Sequence, residues 1–271
     1  MKKEFKEKFP SWVFEEGDFT TCLTDDIDSL VGVTILKEVK GWEVGHFYNF
    51  HNIYSIDKKD KRIAVGVDMA ILEGRTFDNH VVKLSADSQA NPLSANPNII
   101  ENISRDNYTK KYALSTALLI WSLYDIPLPS TDEGKMLLMG IDSSFKGYYS
   151  GFKKVQTQWL EKLGFEELIE LQERYDIIDF VHVKRKYNSS EKIVLVDGKL
   201  HTNMKLEDIS RLLELNIQLP KETFVLRKSF KRDFKELHPD KSYSNGLIEL
   251  KYNPFSMALT GKHKLNLTIM W

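Results

Sequence analysis

Short apolar segments that end at aspartate, separated by helix-like segments, dominate the first half of the chain. Residues 19–23 are aromatic, β-branched or apolar, and residues 62–67 form a second such run that stops at Asp68. Between them, residues 30–39 are mostly apolar and end near Gly41, as in a buried helix. Continuous apolar strands that alternate with helices are typical of a parallel sheet covered on both faces. The pattern therefore predicts an α/β fold.

The later segments predict how the chain is divided. Helix-like segments follow from Tyr108, and short strand-like segments, including 180–183 and 247–250, follow Asp176. We therefore predict a mostly parallel α/β domain over residues 1–150, a linker helix over 151–180 and a smaller mixed α+β domain over 181–271. The formal net charge is −1, but acidic residues predominate before residue 180 and basic residues after it. This asymmetry indicates that the smaller domain is basic.

Composition excludes several classes of protein. The 271 residues are 42% hydrophobic and 28% charged, which is typical of a globular chain and not of a disordered one. The single cysteine, Cys22, excludes an internal disulfide and favours a reducing compartment. The most apolar stretch, residues 113–123, is shorter than a membrane span of about 20 residues. We therefore expect a cytoplasmic protein with no membrane partner.

Aspartates follow several of the predicted strands, where sites of parallel α/β sheets gather. Asp26 and Asp28 come after the first strand, Asp68 after the second, and Asp78 and Asp142 lie in later loops. Converging carboxylates repel one another unless a cation lies among them. Carboxylates are preferred ligands of Mg²⁺ and Mn²⁺, and two such ions suit attack of water on phosphorus. The sequence therefore predicts a centre of two Mn²⁺ or Mg²⁺ ions.

The order of these motifs resembles that of the DHH phosphoesterase superfamily. This superfamily includes RecJ-type single-strand exonucleases, oligonucleotide and cyclic-dinucleotide phosphodiesterases, and family II pyrophosphatases. The resemblance covers about residues 18–150 and rests on four short motifs. They are Thr24-Asp25-Asp26-Ile27-Asp28-Ser29-Leu30, Asp68, Asp78-Asn79-His80 and Gly140-Ile141-Asp142-Ser143-Ser144-Phe145.

The resemblance implies a set of metal ligands. Asp26 and Asp28 would each hold one metal, Asp68 would bridge the two, and Asp142 would add a further carboxylate. Asn79 stands where the family has the first of two adjacent histidines, so the third motif is degenerate. Its carbonyl oxygen would be a weaker ligand than an imidazole.

The resemblance also implies how the residues around the metals act. Asp68 would help to hold the attacking water, and Asp78 would orient a neighbouring group. His80 would contact phosphate or protonate the leaving oxygen. A second domain closes the cleft in this family, so we expect Lys262, His263 and Lys264 to contact substrate phosphate. The expected activity is hydrolysis of phosphodiesters in single-stranded nucleic acid or in short or cyclic oligonucleotides.

Two alternatives remain open at this stage. The pair Asp26 and Asp28 also fits a haloacid-dehalogenase-like phosphatase, although Leu30 stands where that family has Thr or Val. The loss of a histidine at Asn79 also fits a catalytically degenerate DHH-like module that binds nucleic acid, a nucleotide or a protein partner.

Overall fold

The computed structural model describes residues 1–270, which form a nine-stranded sheet with packed helices and a separate two-stranded sheet. The strands are β1 (Thr20–Leu23), β2 (Glu43–Tyr48), β3 (Asn52–Ser55), β4 (Ala64–Val67), β5 (Thr76–Phe77), β6 (Ser94–Ala95), β7 (Ile193–Val196), β8 (Lys199–Thr202), β9 (Val225–Glu236), β10 (Pro254–Gly261) and β11 (Lys264–Met270). The helices are α1 (Lys3–Lys6), α2 (Ile27–Lys40), α3 (Pro97–Ile100), α4 (Thr116–Leu123), α5 (Asp132–Gly140), α6 (Lys153–Leu163), α7 (Glu166–Arg174), α8 (Ile177–Lys186), α9 (Leu206–Leu213) and α10 (Asn245–Tyr252).

The first half of the chain forms the parallel part of the sheet. Strands β2, β1, β4, β5 and β6 lie side by side in that order and are parallel. Helix α2 begins at its N-cap, Asp26, and ends at Gly41, whose φ of 70° fits a residue without a side chain. Its first ten residues are buried, since α2 packs against β4 and α4. The α/β class predicted from the sequence is confirmed.

The C-terminal region extends the same sheet in antiparallel fashion. Strands β3, β9, β11 and β10 continue it from β2, in that order. Residues 181–271, predicted as a smaller domain, thus contribute three strands to the main sheet as well as the small sheet of β7 and β8. The predicted domain boundaries near residues 150 and 180 stay a prediction.

The sheet curls so that its edge strand, β10, contacts the loops that follow the parallel strands. Ser256 of β10 pairs with Ile71, beyond β4, and Leu259 pairs with Val81, beyond β5. The Leu259 N–H donates to the Val81 carbonyl at 2.8 Å. Strands β10 and β11 therefore form a wall beside the carboxyl ends of the parallel strands, where the predicted site lies.

The single linker helix predicted over 151–180 is wrong, because this stretch contains α6, α7 and the start of α8. Helix α6 ends at Gly164, which has a φ of 75°. Helix α8 begins with a capping box between Asp176 and Asp179, so the predicted strand at 180–183 is also wrong. The strand predicted over 247–250 is wrong for a similar reason. These residues lie in α10, which the Ser244 side chain caps.

Within residues 1–270, no helix has both the length and the apolar character that crossing a bilayer requires.

Two helical glycines provide a matched test of this packing. A Cβ at Gly32 would lie 2.6 Å from Cγ1 of Val67, whereas a Cβ at Gly246 would meet nothing within 4 Å. We expect Gly32→Ala to lower the free energy of unfolding by about 1–3 kcal/mol, because the core cannot accommodate the methyl group. Gly246→Ala should raise it by roughly 0.5–1 kcal/mol through helix propensity. Urea denaturation measures both, and a stabilising Gly32→Ala would contradict the packing of α2 on β4.

Candidate metal centre

Three aspartates from separate parts of the chain meet at the carboxyl edge of the parallel strands. Asp28 lies in the first turn of α2, Asp68 follows β4, and Asp142 follows α5. One carboxylate oxygen from each lies within 4.8 Å of the others. Asp68 and Asp142 have φ values of 61° and 51°. Aspartate tolerates this left-handed conformation better than most residues do.

The N-terminus of α4 holds two of these carboxylates. Asp28 accepts hydrogen bonds from the backbone N–H groups of Thr116 at 2.9 Å and Ala117 at 2.6 Å. Asp68 accepts one from the Thr116 hydroxyl at 3.0 Å. Because the first amides of a helix carry partial positive charge, α4 offsets part of the repulsion between the carboxylates.

Burial and mutual repulsion raise the pKa values of the buried aspartates. Burial raises the pKa of Asp28 well above its usual value, and the charges of Asp142 and Asp68 raise it further. Burial likewise raises the pKa of Asp68 well above its usual value, with Asp26 adding repulsion. Both carboxyl groups therefore favour protonation or a bound cation over bare negative charge.

A pair formed by Asp78 and His80 lies beside these three aspartates. Asp68, Asp78 and His80 form a second set whose ligand atoms lie within 4.8 Å of one another. Nδ1 of His80 lies 2.7 Å from Oδ1 of Asp78. Burial opposes the charged ring, but the Asp78 carboxylate attracts it, and the pKa of His80 rises to about 10. His80 is therefore protonated at neutral pH when no cation is bound nearby.

Three asparagines fix the loop that carries this pair. Asn96 donates to Oδ2 of Asp78 and to the carbonyl of His80, both at 2.8 Å. Asn98 donates to the carbonyl of Asn79 at 2.7 Å. The Asn79 amide itself donates to the Leu114 carbonyl at 2.9 Å and to Asp142 at 3.2 Å. Asn79 thus holds Asp142 in place, and its role as a metal ligand stays a prediction.

Asp26 lies next to the cluster but has a different set of contacts. Its carboxylate caps α2, accepting from the N–H groups of Asp28 and Ser29. Nζ of Lys192 lies 3.2 Å from Asp26 and 2.9 Å from Asp25. No local sequence pattern predicts this contact, because Lys192 lies more than 160 residues from Asp26 in the chain. The ligand role of Asp26 stays a prediction.

Two further lysines lie near Asp142. Its charge acts on the pKa of both Lys111 and Lys184, but burial has the larger effect and lowers both values. Lys184 donates to the Ser143 hydroxyl at 2.8 Å. Lys111, Lys184 and Lys192, which we call the lysine rim, thus border the carboxylates.

Lys262, His263 and Lys264 lie at the turn between β10 and β11. Nδ1 of His263 is 3.2 Å from a guanidinium nitrogen of Arg105. Lys262 and His263 line a cavity of about 450 Å³ together with Arg105 and Tyr243. The contacts of His263 therefore run to Arg105, and the predicted phosphate contacts of these three residues stay a prediction.

The donor set of the cluster fits a hard divalent cation. Asp28, Asp68 and Asp142 offer carboxylate oxygens, the ligands that Mg²⁺ and Mn²⁺ prefer. The buried Cys22 belongs to neither group of ligand atoms, and burial raises the pKa of its thiol to about 12.

Comparisons of the chain with protein families, with curated proteins and with solved structures find no match.

A thermal-shift experiment tests the cation site. We expect Mn²⁺ at a hundred times its dissociation constant to stabilise the protein by about 2.7 kcal/mol. Asp68→Asn should abolish this stabilisation, while the apoprotein unfolds at the same or a higher temperature because a buried like charge is gone. Asp240→Asn, at a side chain that is 88% exposed, is the control. An unchanged Mn²⁺ shift in Asp68→Asn would contradict the assignment of the site.

The raised pKa values also predict how pH affects metal binding. Cations and protons compete for Asp28 and Asp68, and these groups take up protons at a higher pH than ordinary aspartates. We expect the Mn²⁺ affinity to fall as the pH is lowered from 8 to about 5, and Mn²⁺ binding to release protons. Calorimetry in buffers of different ionisation enthalpy measures both. Affinity that is constant over this range would contradict the prediction.

Proposed function

We propose that this protein is a metal-dependent phosphodiester hydrolase of the DHH type. Its substrates would be single-stranded nucleic acid or short or cyclic oligonucleotides, and its cofactor Mn²⁺ or Mg²⁺. The observation that carries the proposal is the position of His80, whose Nδ1 is held by Asp78, beside the carboxylates of Asp28, Asp68 and Asp142. A metal-dependent hydrolase of phosphodiesters uses cations to activate water and a nearby proton donor to protonate the leaving oxygen.

Asp28, Asp68 and Asp142 would hold the cations. Divalent cations at such a site activate water and stabilise the charge that develops on the phosphoryl group. The fixed contacts of Asp28 and Asp68 with the N-terminus of α4 keep their oxygens in place before any cation binds. The chain thus supplies a preorganised set of ligands.

His80 would donate a proton to the leaving oxygen. Asp78 orients the ring through Nδ1, which leaves Nε2 free to act on the substrate. Asn96 fixes Asp78 in turn by donating to its other oxygen. Because the His80 side chain is 32% exposed, its ring can reach a bound phosphodiester.

The lysine rim would bind the substrate phosphates. Lys111 and Lys184 lie within the field of Asp142, and Lys192 contacts Asp26. The carboxylates would repel a polyanionic substrate, and the positive charge of the lysine rim next to them offsets this repulsion. This arrangement supports a phosphate ester as the substrate.

Substitution of His80 tests the proposed acid. We expect His80→Gln to lower kcat for hydrolysis of an oligonucleotide by about 10²- to 10⁴-fold, with Mn²⁺ binding retained. A fast-leaving ester such as bis(p-nitrophenyl) phosphate should lose less, because its leaving group needs no proton. His201→Gln, at an exposed residue of β8, is the control. Equal losses with both substrates would exclude proton donation by His80.

The degenerate binding module remains the second candidate, and one observation favours it. Lys192 already neutralises Asp26, one of the expected ligands, without any cation. A panel of single strands, dinucleotides, cyclic dinucleotides and pyrophosphate with Mn²⁺ separates the candidates. Turnover of any of them supports the hydrolase, and binding without turnover supports the module.

A further inference from the structure

One face of β9 carries alternating rings and cations that the proposed chemistry does not use. We call Phe50, Lys228, Phe230, Arg232 and Phe234 the β9 ladder. Successive residues of a strand alternate between faces, so the even-numbered members of β9 share one face. Phe50 joins them from the turn between β2 and β3.

The contacts within the ladder form two groups, one of Phe50, Arg232 and Phe234 and one of Lys228 with the buried ring of Phe230. The Arg232 guanidinium lies 5.1 Å from the ring centroid of Phe50 and 4.9 Å from that of Phe234. Nζ of Lys228 lies 5.5 Å from the ring centroid of Phe230. Each cation is therefore within the range of a cation–π interaction with a ring.

The ladder ends in solvent and keeps its positive charge. Phe234 is 62% exposed and lies beyond Ser229, the last residue of β9 that pairs with β3, where only β11 still pairs with the strand. Arg232 donates to Oδ1 of Asn266 at 3.4 Å, which is a neutral acceptor, so that contact leaves its charge uncompensated. Little apolar surface is buried by Phe234, and burial in the core therefore does not explain this ring.

Backbone strain at Phe50 also points to a role in binding. Phe50 has a φ of 66°, a conformation that bulky residues rarely adopt. This conformation places the ring within contact distance of Arg232 and Tyr48. Strained residues that are held by their surroundings cluster at binding sites.

The end of the ladder at Phe234 lies at the same end of the sheet as the candidate metal centre. Strand β9 is antiparallel to β3, which is antiparallel to β2, so β9 and β1 run in the same direction. Arg232 and Phe234 therefore extend beyond the carboxyl ends of the parallel strands. Buried Phe230 packs in one cluster with Met69, the residue after Asp68.

We propose that the β9 ladder binds the unpaired bases and phosphates of a single-stranded nucleic acid. Rings stack on the faces of unpaired bases, and cations between them neutralise phosphates. A duplex offers no free base faces to such a surface. An uncharged ligand would form no ion pair with the cations of the ladder. The complementarity of charge and of stacking thus favours a single strand.

The length of the ladder indicates how many nucleotides it can contact. Phe234 lies six residues beyond Lys228, the exposed cation at the other end of the ladder, which is about 20 Å along the strand. Stacked nucleotides are spaced by about 3.4 Å. The ladder therefore accommodates several nucleotides. This estimate of substrate length rests on the proposed function, because it assumes that the bound nucleic acid continues from the ladder to the carboxylates.

Binding measured without metal tests the ladder independently of hydrolysis. Fluorescence anisotropy would follow labelled DNA and RNA decamers and a DNA duplex in EDTA. We expect Phe234→Leu to weaken binding of the single strands by about 5- to 150-fold and Phe234→Trp to retain it. Arg232→Gln should reduce the slope of log affinity against log salt by about 0.7.

Matched controls separate the ladder from general effects. Phe152→Leu removes a ring that is 50% exposed before α6, and Lys231→Gln removes a charge from the opposite face of β9. Both should leave binding unchanged. Equal weakening by Lys231→Gln and Arg232→Gln, or equal affinity for the duplex, would overturn the proposal.

Turnover of bis(p-nitrophenyl) phosphate by the unchanged chain with Mn²⁺ distinguishes the two proposals. Loss of single-strand binding in Phe234→Leu without any turnover by the unchanged chain supports the ladder and contradicts the hydrolase. Turnover combined with unchanged binding in Phe234→Leu supports the hydrolase and overturns the ladder.

Discussion

The repulsion among three aspartates, of which Asp28 and Asp68 are buried and Asp142 is exposed, is the constraint on which the candidate site depends. Asp28, Asp68 and Asp142 come together although burial and the neighbouring carboxylates both disfavour the charged forms of Asp28 and Asp68. The N-terminus of α4 offsets part of this cost by donating from Thr116 and Ala117. The position of α4 relative to α2 and β4 therefore determines how close Asp28 and Asp68 lie to each other.

The sequence predicted the parallel half of the fold because its signals there are local. The apolar run that ends at Asp68 is a strand, and the N-cap chemistry around Asp26 begins a helix. Asp28, Asp68 and Asp142 were singled out from their positions after such elements, and the structure brings them within ligand distance of one another. Order along the chain was informative because parallel strands place their carboxyl ends at one edge.

Contacts between distant parts of the chain could not be predicted in this way. Lys192 pairs with Asp26 across 166 residues, and no local pattern indicates such an ion pair. Asn96 and Asn98 lie in a segment without periodicity, yet they hold the loop of Asp78 and His80. Asn96 did leave one signal, since an asparagine before a proline is a typical helix N-cap. The helices at 177–186 and 245–252 were missed because their apolar runs are short and their caps outweigh β propensity.

The closure of the sheet by β10 has a consequence for how the site is assembled during folding. The loops after β4 and β5 are bonded to β10, through the N–H groups of Met257 and Leu259. These partners are almost two hundred residues apart in the chain, so the pairing carries a large loop-closure entropy and forms late. The loops that carry Asp68 and Asp78 are therefore synthesised early, but they pair with β10 only after the hairpin of β10 and β11 has docked. Until then the loops that follow β4 and β5 lack the backbone hydrogen bonds that Met257 and Leu259 donate to them.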